Sequence, residues 1–141
     1  MAHEAIALNY IRDMIDSHPQ AIAGSKRDTW ACAIEACLDC GQASTACADA
    51  CLAEGNVEQL RSVVRSALDN ADACFAAAKI LSRLTAGKSA MLTTQLSSCL
   101  DLVRNCETEC NDHAKMHEHC RVCADSCRAC ENALSAVLTK I

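Results

Sequence analysis

Cys120, Cys123, Cys127 and Cys130 follow one another at intervals of three, four and three residues, the rhythm at which one face of an α-helix returns to the same side. The pattern recurs twice more. Cys37, Cys40, Cys47 and Cys51 fall within roughly 80° of one another on a helical projection, with Cys32 nearer the edge of that face. Cys99, Cys106 and Cys110 cluster within about 40°. Cys74 lies inside a run of apolar residues that itself has helical spacing. Thirteen thiols placed on the inner faces of helices make a column of soft donors, which suits a soft metal better than a disulfide framework. Cys74 or Cys32 alone would serve equally as core filler, because a free cysteine behaves as a small hydrophobe. The set as a whole would not, since Ala, Val or Leu fill a core without the liability to oxidation.

Composition limits what the thiols are for. A chain of 141 residues reads as one domain, 1–141, large enough to fold without crosslinks. Hydrophobic residues make up 51%, yet the aromatics are Tyr10, Trp30 and Phe75, so alanine and cysteine carry much of the interior and the helices must approach closely. A net charge of −5 with scattered Lys and Arg argues against nucleic acid as a partner, which would need a basic stripe. No run of about 18 uncharged apolar residues occurs, so a membrane role is unsupported. The start, MAHEAIALNYIRDMIDSHP, has acidic residues from Glu4 onward and neither a basic nor an apolar export region, which predicts a cytoplasmic protein. Thiols are kept reduced there, and dense cysteine then signifies metal binding or redox chemistry.

The elements that must position the thiols are all helical. Apolar spacing predicts a short leading helix over about 3–17, ending at Ser17-His18-Pro19, within a leader and linker of residues 1–24. Asp28 is the expected N-cap of a helix to about Ala53, with Gly55 as its left-handed terminator. Asn56 is the expected cap of a helix from about Val57 to Thr85, which Gly87 closes. Further helices are expected over about 89–113 and from Met116 or His117 to Leu138. Long helices with tight connections predict an all-α fold, an antiparallel four-helix bundle over 28–138, with the leading helix packed outside it or across one end.

Charge and stoichiometry favour copper over zinc. Four thiolates around each Zn²⁺ leave two negative charges per site, costly to repeat inside a narrow bundle. Cu(I) takes two or three thiolates and shares them between ions, so a column of thiolates holds about one ion each with the core near neutrality. The antiparallel arrangement brings the turn at Gly55 and the turn at Ala114-Lys115 to one end, where Cys51, Cys110 and Cys120 form the outermost thiol layer. Beside them, His113, Met116, His117 and His119 offer imidazole and thioether donors for receiving copper, with His113 and His117 the first choices as ligands. His3 and His18 read as ordinary surface residues.

The run HEHCRVCADSCRAC (His117–Cys130), with CAIEACLDC (Cys32–Cys40), CADAC (Cys47–Cys51) and CETEC (Cys106–Cys110), resembles the bacterial copper storage proteins over about residues 28–138. The resemblance implies a four-helix bundle that stores many Cu(I) ions through inward-facing cysteines, assembles as a homotetramer, and belongs to the cytosolic branch, with the histidine-bearing end as the copper entrance. Ser44, Val103 and Leu134 depart from the pattern: each stands where the spacing would continue the cysteine ladder, so fewer sites are expected around them.

Two other classes stay open at this stage. A thiol redox sensor would need an exposed, low-pKa attacking cysteine, and a zinc-binding regulatory module would hold only a few divalent ions and fold on binding them. No nucleophile-base pair, phosphate loop or paired carboxylates stand out, so the chain does not read as an enzyme. Release of tightly held copper calls for a chaperone or chelator as partner, which no residue identifies.

Overall fold

The computed structural model describes residues 9–20, 22, 24–83 and 89–141. The expectations for residues 3–8, His3, Thr85 and Gly87 lie outside the described residues. Helix α1 is Ile11–Ser17, α2 is Gly24–Leu52, α3 is Arg61–Ser82, α4 is Ser89–Asn111 and α5 is Glu118–Leu138, with a single 3₁₀ turn, Val57–Leu60, leading into α3. The four long helices form the bundle, α2 packing on α3 and α5, and α4 packing on α3 and α5. Contacts between α2 and α5 fix an antiparallel register: Cys37 meets Cys130, Cys40 meets Cys127 and Ser44 meets Cys123, one number rising as the other falls. On the outer seam of α4 and α5, Arg104 pairs with Glu131 and Arg128 with Glu107 in the same sense.

Small residues let the helices approach. Ala33, Ala48, Ala67, Ala77 and Ala78 are buried on the facing sides of α2 and α3. Gly41 lies directly against the ring of Phe75, where an added Cβ would stand 2.8 Å from Cε1. Larger side chains cap the two ends of the interior. Leu60 and Val63 close the end at which α3 begins, and Leu81, Leu96, Leu134 and Val137, with Trp30 and Ile34, fill the other. Each buried Leu or Val contributes about 1.5–3 kcal/mol by removal from water, so the core has apolar anchors beyond its thiols.

Three boundary expectations need correction. Asp28 is not an N-cap: α2 begins four residues earlier at Gly24, which adopts φ +65. The Asp28 carboxylate is instead engaged by Arg12 at 3.1 Å and Arg27 at 2.9 Å, while Thr29 donates its hydroxyl to the Ser25 carbonyl one turn back. Gly55 is not a left-handed terminator, since Gly24 is the positive-φ residue among those described. The end of α2 tightens into i to i−3 bonds, from the Ala53 N–H to Ala50 and from the Glu54 N–H to Cys51. Asn56 precedes the 3₁₀ turn without capping it, and its amide donates to Gln59 and His117 instead.

Helix α1 packs along the outer side of α2, burying Ile15 and held by Arg12 to Glu35 and by Arg27 to Asp16. Among the described residues no helix is long and apolar enough to cross a membrane.

Candidate metal centre

Twelve of the thirteen cysteines are buried, and all are free thiols. Their sulfurs are neighbours without being bonded: Cys37 and Cys130 lie 3.8 Å apart, Cys40 and Cys127 3.8 Å, and Cys106 and Cys110 4.0 Å. Three groups of three thiols have ligand atoms within 4.8 Å of one another, namely Cys40/Cys74/Cys130, Cys47/Cys110/Cys123 and Cys106/Cys123/Cys127. A fourth group joins Cys47, Cys51 and Cys120 to His119. Because Cys47 and Cys123 each belong to two groups, and Cys40 lies 3.8 Å from Cys127, the donors form a connected series along the bundle axis.

Halfway along this series stands a polar node that the sequence pattern does not reveal. Asn70 is completely buried on α3, and its amide donates to Ser44 Oγ at 3.0 Å, Cys40 Sγ at 3.3 Å and Cys127 Sγ at 3.7 Å. Its carbonyl accepts from the Cys74 thiol at 3.5 Å. Ser44, also fully buried, touches both Cys40 and Cys123, so the break in the cysteine ladder is filled by groups that still bond to sulfur. Val103 and Leu134 are buried as well, so the departures from the pattern are interior positions, as expected.

Close packing redistributes the thiol protons. Cys37 is lowered to about 5 by its thiol neighbours, Cys130 first and then Cys74. Cys40 is held low first by Cys127, and Cys123 first by Cys106. Their partners move the other way: Cys74 rises chiefly through Cys130, and Cys127 chiefly through Cys106. At the outer layer, burial pushes Cys120 up to about 12 and raises Cys51 as well. A metal entering at these raised thiols must displace a proton, so binding there weakens as the pH falls.

The mouth is organised around Glu54. His119 places Nδ1 3.5 Å from Cys47 Sγ, 3.6 Å from Cys120 Sγ and 3.9 Å from Cys51 Sγ. Its Nε2–H donates to Glu54 Oε1 at 3.1 Å, which leaves the Nδ1 lone pair facing the sulfurs. The same carboxylate oxygen lies 3.3 Å from Nδ1 of His117, whose Nε2 faces the Asn56 amide at 3.5 Å. The two imidazoles stack with centroids 5.3 Å apart.

The expected order of the mouth residues is therefore changed. His119, rather than His113 or His117, reaches the thiol layer; His117, the N-cap residue of α5, is turned to Glu54 and Asn56 and makes a separate outer donor group with Glu54 and His119. His113 contributes its carbonyl to the turn, accepting from the Met116 and His117 N–H groups, and is in none of the donor groups found among the described residues. Met116 is 78% exposed, away from the sulfurs. Cys32 also stands apart, exposed on the outer face of α2, where Arg12 donates to its sulfur at 3.5 Å. Cys74, in contrast, is within the column. Glu54, Asn56 and Asn70 were missed by sequence reasoning, because carboxylates and amides carry no metal-ligand spacing of their own.

Comparison with known proteins gives the same reading. The family model described as "Copper storage protein" matches residues 26–139. The structure of a copper storage protein of Streptomyces lividans, loaded with 10 copper equivalents, superposes with a TM-score of 0.89 at 43% identity, covering 93% of this chain and 99% of that one. A structure of a cytosolic copper storage protein from the same organism, with five coppers, gives 0.82 at 45% identity over 84% and 99%. A cysteine-rich protein of Bacillus subtilis, YhjQ, is 35% identical over 97 residues, 69% of this chain and 84% of that protein. With its thiols arranged along the core of a four-helix bundle, the chain belongs to the copper storage protein family.

Proposed function

We propose that the twelve buried thiols, with His119 at the mouth, hold on the order of one Cu(I) ion per thiolate, with Cu(I) as stored cargo for cytoplasmic copper buffering and detoxification. The observation that carries this is the sharing of Cys47 and Cys123 between donor groups, since bridging ligands are what a dense array of monovalent ions needs. His119 receives the ion and passes it to Cys47, Cys51 and Cys120, with Glu54 fixing the imidazole tautomer. Exposed Leu52, Leu68 and Val122 supply apolar contacts for a homotetramer, and a chaperone or small chelator takes the copper away.

Anaerobic titration of the reduced, metal-free chain with Cu(I) against a chromogenic chelator is expected to show on the order of ten ions withheld per chain. A plateau at about three or fewer would overturn the storage reading in favour of a small zinc-type site. Glu54→Gln is expected to weaken capture of the first ions by about tenfold to a hundredfold, the usual effect of losing the group that orients a ligating histidine. Competition against chelators of graded affinity measures it; unchanged early binding would remove Glu54 and His119 from the entrance.

A further inference from the structure

The sulfur column approaches the surface a second time, at the end opposite His119. Cys99 is only 1% exposed and near enough to Cys74 to help raise its pKa, yet it forms the floor of an open hollow of about 590 Å³ between α3 and α4. Ala73, Met91, Thr94, Gln95 and Ser98 line its walls. Met91, Gln95 and Cys99 are spaced four residues apart on α4, so they stand one above another at steps of about 6 Å. Met91 is 69% exposed, whereas the Gln95 Oε1 is shut off from solvent and has no hydrogen-bond partner among the described residues. A thioether in water and a buried thiol, the two soft donors that suit a monovalent copper ion, thus lie in line with the uncommitted Gln95 carbonyl oxygen between them.

We propose that this line is a second portal, through which Cu(I) bound to a small thiol enters or leaves the store. The inference rests on the storage reading above. The transfer is a ligand exchange without change of oxidation state: the bond from copper to the carrier sulfur breaks as the bond to Cys99 Sγ forms. The proton given up by the Cys99 thiol goes to the departing carrier thiolate. From Cys99 the ion is one step from Cys74, and so from Cys40 and Cys130.

The test uses the full reduced chain without copper, exposed briefly to iodoacetamide, with the modified cysteines mapped by mass spectrometry. Exposed Cys32 reports that the reagent is active. Cys99 is expected to react about tenfold faster than Cys37 and Cys130, both of which are completely buried. Thr94→Phe or Ala73→Phe, each of which fills the hollow from a different helix, should bring Cys99 down to the rate of Cys37 while far-UV circular dichroism stays unchanged. Thr94 is exposed, so its variant carries the test if the Ala73 variant does not fold. A Cys99 rate no greater than that of Cys37, or one indifferent to filling in a folded variant, would overturn the portal. Failure of storage would appear separately, as a low copper count with the labelling pattern intact.

Discussion

Cys123→Ser is expected to lower copper capacity by about two ions per chain, whereas Cys32→Ser should leave it unchanged. Cys123 belongs to two three-thiol groups, so its sulfur is placed to bridge ions that lie on both sides of it. It is also a thiol held low by its neighbours, Cys106 first, which favours the thiolate form that binds metal. Serine differs from cysteine by one atom and keeps the packing, but its hydroxyl is a poor partner for a soft ion. Cys32 lies on the outer face against Arg12 and shares no group with another thiol among the described residues. Chelator-competition titrations of both variants, with circular dichroism to confirm that the bundle is intact, give the answer. Equal losses in the two would mean that the buried series is not the store.

Copper loading is expected to raise the melting temperature by more than about 20 °C over a metal-free protein that is itself folded. An ion at a hundredfold its dissociation constant adds about 2.7 kcal/mol to the folded state, and even partly coupled sites soon sum to several times that. For a chain of this size about 1 kcal/mol moves the midpoint by roughly 3–4 °C. The metal-free fold does not depend on this contribution, because Leu60, Leu81, Leu96, Leu134, Val63 and Val137 are buried around the thiols. Thermal scans followed in the far ultraviolet, with and without copper, measure both statements. Loss of helicity in the reduced metal-free chain would mean that metal creates the bundle; coincident melting curves would mean that the ions sit outside it.

The cysteine faces of α2, α4 and α5 were legible from residue numbers, because angular position within one continuous helix depends only on spacing. Positions next to a helix end were not. His119 precedes Cys120 by one residue, about 100° of rotation, and still reaches Cys47 and Cys51 because α5 begins at Glu118 and crosses the end of α2. Asp28 has the chemistry of an N-cap, but long-range ion pairs to Arg12 and Arg27 claim its carboxylate. Asn70 appears in the sequence as one polar residue within an apolar stripe, and only the position of α2 and α5 opposite it reveals the sulfurs and the hydroxyl that it bonds.

The sulfur pairs stand 3.8–4.0 Å apart before any metal enters. A metal–thiolate bond of about 2.3 Å needs two sulfurs no more than roughly 4.6 Å apart, so an ion is admitted by movements of a fraction of an ångström. Helices locked by contacts such as Gly41 on Phe75 have no cause to shift further. The outer shape of the molecule is therefore the same whether its reservoir is empty or full. A protease or docking partner that reads the helix exteriors obtains no gauge of the load, and the fill level can be sensed only where donor atoms come to the surface.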